Sequence, residues 1–487
     1  MRRHLNAHRP ESRPSGRLLL LLAATAVSAF LAVDASRAGS GSSAASDPGP
    51  RQGAPGAGGP LSALTSDEAT YFQAGQEFFQ EVHNLQDGLG PEFDLDRCSG
   101  CHAYPSAGGS SPAINPQPTV ATAYGAVNLI PKFVQLHGPV VEARFRKLPS
   151  GAPDGHVHQL FVITGREDGT VDLKNGVNHN TCNAVQPDFD AEYAKGNVAL
   201  RIPTPTFGAG LIEAISDSAI VANLAANGAQ KASLGISGHP NYGDGAVPTI
   251  TRFGWKAQNK SLLGFAGEAS INELGVTNQL FQNELDDNPL CQFAPAPNNE
   301  TIFDNFEGVP APFVMSEIEL FAAFMRFLAP PAPSTTTPGG ATSIANGGQL
   351  FNAIGCALCH APALTTVTDV VQYGAPNAIN YVAALSGVTA NLYSDLALHK
   401  MGPGLADGIV QGQAAGDEFR TAPLWGLGQR LFFLHDGRTS DLVQAIGAHA
   451  SPGNANYGPS EANQVIQNYN ALSNAQQQDL LNFLRSL

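Results

Sequence analysis

The sequence predicts a mainly α-helical protein built from two tandem domains, the first enlarged by a Gly-rich, partly β insertion. Three observations carry this expectation. Two Cys-x-x-Cys-His motifs stand at Cys98–His102 and Cys356–His360. Four landmarks recur in the same order around them. Apolar residues follow three- and four-residue spacing in Ala69–Val82 and Ser316–Leu328, the period of a helix with one buried face.

The landmarks justify the duplication. Each half opens on a helix with a Gly-Gln-x-Phe element, Gly75-Gln76-Glu77-Phe78 and Gly348-Gln349-Leu350-Phe351, and continues into its Cys motif. An Arg, a Pro-bearing turn and paired glycines follow: Arg201 to Gly208-Ala209-Gly210, and Arg420 to Gly426-Leu427-Gly428. Each half closes on a helix ending in Phe-Met/Leu-Arg-x-Leu, Phe324–Leu328 and Phe483–Leu487. The expected division is a first domain over 61–328, a Pro/Thr linker over 329–340 and a second domain over 341–487. Proline at that density stops a helix and stiffens the chain. Within the first domain, Val157–Thr164 reads as a strand inside an insertion spanning 103–200.

Composition sets limits. The 487 residues include 52 Gly and 35 Pro, which suits helices joined by long irregular segments. A net charge of −15 argues against a nucleic-acid partner, since phosphate recognition needs a basic surface. Arginines at 2, 3, 9, 13 and 17 precede the apolar run Leu18–Val33, and Ser36-Arg37-Ala38 offers a cleavage site. That is the anatomy of a signal peptide over 1–38, and it implies export to the periplasm. Membrane association would arise only if the segment stayed uncleaved, and its 16 apolar residues are short for a span. Residues 39–60, nearly all Gly, Ser, Ala and Pro, read as a flexible tether.

The Cys motifs carry the chemistry. Two thiols can form thioethers with haem vinyl groups, which sets the adjacent His under the iron. The expected cofactors are therefore two covalently bound c-type haems, on Cys98, Cys101 and His102, and on Cys356, Cys359 and His360. A zinc site would need four converging Cys or His ligands. A Gly-x-x-x-Phe helix before each motif points to cytochrome c-like domains instead. Cys182 and Cys291 remain, either as a disulfide or as two buried thiols. A filled sixth position favours electron transfer, and an open one admits peroxide or oxygen. Candidates for it are His399, Met401, His435 and His449 in the second half, and His137, His156, His158, His179 and His239 in the first.

Longer stretches bring a resemblance into view. Arg420–Gly428 followed by Phe433-Leu434-His435-Asp436-Gly437-Arg438 is similar to the signature of the di-haem oxidoreductases, relatives of bacterial di-haem cytochrome c peroxidases. Gly208–Ile215, Arg252–Ala257, Glu273–Asn278 and Asp395–Gly402 match as well, so the resemblance covers most of 61–487. It implies a peroxidatic haem on His102 and an electron-relay haem on His360, fed by a small soluble donor protein. It also implies a bridging tryptophan between the haems, here Trp255, and an acid-base carboxylate, here Glu273 with Glu268 as runner-up. Aligning Leu262 with Leu442 puts Trp255 opposite His435. Where the peroxidases place a distal methionine, the count from His435 lands on His449; Met401 is the alternative ligand. Arg201, Arg420 and Arg438 are candidates for pairing haem propionates. Calcium is a family possibility, yet no acidic ligand loop is visible.

Three functional readings follow. The favoured one is a peroxidase-like oxidoreductase that takes peroxide or another small oxidant. The others are an electron-transfer cytochrome without turnover and an enzyme that oxidatively modifies a partner protein.

Overall fold

The structure is a computed structural model that describes residues 44–164, 181–243, 248–286, 288–292, 297–299, 301–304, 313–373 and 379–487. The proposed signal peptide and His179 lie outside the described residues. Six helices position the site: α1 (Ser66–Gln80), α2 (Leu262–Ala269), α3 (Glu317–Phe327), α4 (Gly340–Ala353), α5 (Leu442–Gly447) and α6 (Asn474–Ser486). Local chemistry sets their starts. Thr65 and Glu68 cap α1 reciprocally, and Ser473 and Gln476 do the same for α6.

Helix α1 packs across α3, and α4 packs across α6. Each crossing is close because a glycine lies at the contact. A Cβ on Gly75 would collide with the Leu320 carbonyl and the Phe324 side chain. One on Gly347 would collide with the Asp479 carbonyl and Phe483. Four residues on from each glycine a phenylalanine fills the space below. Phe79 lies 4.7 Å from Phe324 and 6.0 Å from His102 between ring centroids; Phe351 lies 5.4 Å from Phe483 and 6.4 Å from His360. The equivalent elements are thus Gly75-x-x-x-Phe79 and Gly347-x-x-x-Phe351. The Gly75/Gly348 register expected from sequence is off by one, because only Gly347 meets backbone.

The repeat extends further. Gly210 backs onto the Arg326 carbonyl and Gly428 onto that of Arg485. Bridges Phe253↔Asn259 and Phe433↔Thr439 close two turns of the same shape. Gly254 and Leu434 have φ of 81° and 70°, and Ala257 and Gly437 have 52° and 67°. Ser261 and Asp441 then cap α2 and α5. Every partner in this turn-and-helix unit lies 180 residues on from its counterpart.

Sheets are small. Strand β1 (Glu142–Phe145) lies between β2 (Val157–His158) and β3 (Val198–Arg201), antiparallel to both, with Glu142 opposite Arg201. The expected strand over Val157–Thr164 is broken at Gln159-Leu160, since Phe161-Val162 pairs elsewhere, with Glu92-Phe93. In the second half β4 (Leu398–Lys400) pairs with β5 (Glu418–Arg420), Leu398 opposite Arg420. Cys182 and Cys291 are disulfide-bonded, with Cα atoms 4.7 Å apart.

Two expectations about organisation are corrected. Residues 43–487 form one compact unit. The core around Phe72, Phe324 and Leu328 also takes in Leu364, Leu385, Leu392 and Trp425, so the break at 329–340 does not separate two cores. Residues 44–60 are not a free tether either. Asp47 pairs with Arg485 at 2.6 Å, the Arg51 amide bonds to Gly428, and Gly56 and Gly59 carbonyls accept from Ala332 and Ala329. Poor in side chains, this segment is held as a strap by its backbone and one buried ion pair. No helix among the described residues is long and apolar enough to cross a membrane.

Candidate functional site

Two cavities flank Trp255. The first, about 1150 Å³ counted to its open mouth, is lined by Cys98, Cys101, His102, Glu273 and Asp94 among others. The second, about 1350 Å³, is lined by Cys356, Cys359, His360, His435 and His449. Trp255 lines both. Its indole N–H donates to the Ile202 carbonyl at 2.8 Å, and the Arg420 amide bonds to its carbonyl at 2.9 Å. The ring stands edge-on to His435, centroids 6.4 Å apart. The alignment that set these two residues opposite one another therefore describes neighbours in space.

The imidazoles share one preparation. Nδ1 of His102 faces the Gly109 carbonyl at 3.1 Å, that of His360 the Tyr393 carbonyl at 3.1 Å, and that of His449 the Ala445 carbonyl at 2.8 Å. A backbone carbonyl at Nδ1 holds the proton there and leaves the Nε2 lone pair free to ligate. Burial pushes His102 down to about 4; burial, then His449, does the same for His360. Both are neutral, as ligation requires. Burial also raises the Cys98 and Cys101 thiols and carries Cys356 up to about 12. Such thiols are poor metal ligands. Among the described residues no three His, Cys, Asp or Glu side chains converge as metal-ion ligands.

A haem-sized group fits this chemistry, and two arginines supply the sharpest test. Arg420 and Arg430 both line the second cavity and have no carboxylate partner among the described residues. Arg420 donates from Nε to the Gly254 carbonyl, while its buried Nη1 has no partner. Burial, then Arg430, lowers Arg420 to about 10, and burial alone does so for Arg430. Buried cations without anions are costly, and a pair of propionates would satisfy both. Arg201 lines the first cavity but is already paired with Asp407 at 2.7 Å. Arg438 is a correction: it is bound to Asp436, partly exposed, and lines neither cavity. Arg430, not singled out from the sequence, lines the second cavity instead.

The remaining candidates sort by contact. His399 is held by Asp395 on Nε2 and Glu461 on Nδ1, at 2.9 and 2.8 Å, so neither ring nitrogen is spare for iron. Met401 lines the second cavity. His137 and His156 are exposed, His158 pairs with Asp154 and His239 with Glu418, and none of the four lines either cavity.

The first cavity differs in kind. His102 is its only imidazole among the lining residues, and carboxyls replace the others. Glu273 sits on a π-turn over Ser270–Leu274 that continues α2; Glu268 lies one turn earlier and accepts from Asn259. Burial, then Glu142 and Glu268 against Arg144, raises Glu273 to about 8. Asp94 faces the same cavity. Insertion residues Gln117, Val140, Glu142 and Arg144 form one wall, which gives the 103–200 segment a role.

Sequence reasoning missed one residue that matters more than its size suggests. Ala269, the last residue of α2, lines the first cavity at the position 180 residues before His449. A methyl group therefore stands where the second cavity has an imidazole.

Residues 153–487 match the model of the family described as "di-haem oxidoreductase, putative peroxidase". The match includes Trp255, Ala269, Glu273, the second Cys motif and His449, and begins after the first motif. No curated protein matches the chain.

Proposed function

The chain belongs to the di-haem oxidoreductase family, and from that premise we propose that it reduces peroxide in the first cavity with electrons relayed through the second. Haem, when bound, supplies the redox chemistry. Cys98, Cys101 and His102 would hold one haem, and Cys356, Cys359, His360 and His449 the other. Arg420 and Arg430 would hold propionates of the second.

One observation carries this reading: Ala269 in the place of His449. The second site adds His449 to its motif histidine and suits electron relay, whereas the first has His102 alone and leaves room for an oxidant. Glu273, buried beside that room, takes a proton from one peroxide oxygen and returns it to the other as the bond breaks. Trp255 forms the shared wall across which electrons pass. The donor is a small soluble redox protein, and the compartment is the periplasm.

The test is spectroscopic. Peroxide added to the half-reduced holoprotein should shift or bleach the Soret band, and Ala269→His should abolish that response while preserving haem content. An unresponsive wild-type protein would leave an electron-transfer cytochrome as the reading.

A further inference from the structure

We infer that Asp94 is a proton reservoir for the first cavity, passing its proton to Glu273 rather than acting on the oxidant directly. This rests on the peroxide reading above and extends it to the supply of protons.

Backbone hydrogen bonds bring the two residues together at the cavity wall. The Asp94 amide donates to the Glu273 carbonyl at 2.7 Å, and the Leu95 amide reaches the same oxygen at 3.3 Å. Both side chains line the cavity. Asp94 is only 2 % exposed, and Phe93 and Leu95 beside it are buried apolar residues. Its Oδ1 accepts from the Leu160 amide at 2.7 Å, while its buried Oδ2 has no hydrogen-bond partner among the described residues. An ionised carboxylate there would leave one charged oxygen unsolvated next to a second acid, the arrangement in which one of two carboxyls keeps its proton. The charged groups facing Asp94 are Glu273, Glu142 and Arg144. Arg144 is taken by Glu142, at 2.6 Å, so no cation is spare to neutralise Asp94. Burial first, then Glu273 and Glu142, hold it well above the usual carboxylate range.

Chemistry gives this acid a task. Reducing peroxide to two waters takes up two electrons and two protons. The electrons come from the donor protein. Shuttling one proton between the two oxygens, as Glu273 does, supplies none of the net demand. Once Glu273 has released a proton to an oxidant oxygen, the neighbouring Asp94 can reload it, and water at the cavity mouth restores Asp94.

The experiment uses the resting holoprotein and infrared difference titration of carboxylic C=O bands. Wild type should show two protonated carboxyls at neutral pH: the Asp94 band, lost in Asp94→Asn and kept in Glu273→Gln, and the Glu273 band, lost in Glu273→Gln. In Glu273→Gln the Asp94 band should titrate at lower pH, since its like-charged neighbour is gone. Asp94→Asn should also slow the proton-consuming phase after peroxide addition by about 10- to 100-fold, within the range of general acid catalysis, with a changed solvent isotope effect. Loss of the Asp94 band with unchanged kinetics, or no Asp94 band at neutral pH, overturns the proposal. Should Asp94→Asn fail to fold, the Glu273→Gln titration decides alone: an unmoved Asp94 midpoint overturns the pairing. The infrared readout needs no peroxide reaction, so its failure is distinct from failure of the functional reading.

Discussion

Ala269 and His449 hold the same station in two copies of one turn-and-helix unit, and under the proposed function their difference in side chain divides the labour between the cavities. Exchanging them should exchange properties. His449→Ala should make the second iron accept an added ligand such as cyanide, read as a Soret shift absent from wild type. Glu273 supplies a pH signature. Its base form fills as pH rises through about 8, so the peroxide reaction should accelerate up to that pH and flatten above it. Glu273→Gln should remove the inflection and slow the reaction by about 10²- to 10⁴-fold. Linkage runs the other way for stability. The folded carboxyl binds its proton more tightly than the unfolded chain does. This group therefore costs stability progressively between pH 4.5 and about 8 and adds no further cost above. At this scale sequence reading had uneven reach. The Cys motifs are contiguous and declare themselves. Asp94 is one of three acids in the alternation Glu92-Phe93-Asp94-Leu95-Asp96, where only burial sets it apart from its neighbours. An alanine carries no signal until its counterpart 180 residues away is seen to be a ligand.

The helix crossings explain why two cavities form at all. Gly75 and Gly347 let paired helices approach to backbone contact, which drops Phe79 and Phe351 beside the two motif histidines. Gly75→Ala and Gly347→Ala should each destabilise the fold by about 2 kcal/mol, the usual cost of overpacking, measured by denaturant titration. Gly348→Ala should cost much less, because a Cβ there meets only the Phe483 ring, at 3.4 Å. The contrast tests the corrected register directly. Helix positions were legible because their apolar period is regular: α1 and α3 fall within a few residues of expectation. The register was not, because Gly347-Gly348 presents two glycines and only the partner helix tells them apart. The Val157–Thr164 strand signal failed for a related reason: its residues feed two different sheets.

Across the whole molecule, segments distant in sequence close one structure. Asp47 and Arg485 join the strap to the last helix, and the Arg485 side chain is fully buried. Asp47→Asn leaves that guanidinium without its anion. It should cost about 3 kcal/mol, as for other broken buried pairs, read as a lowered thermal midpoint with unchanged haem content. Composition marks 39–60 as unable to bury a core; that its described part, 44–60, is pinned by backbone bonds is a tertiary property.

The strap also imposes an order in time. Asp47 and Arg485 stand 438 residues apart, so a chain made from its N-terminus cannot seat Asp47 until Arg485 has emerged. Until that moment the molecule stays unlocked at the edge of its second half. The four motif cysteines, buried or half-buried in the finished fold, are all made before the strap can close.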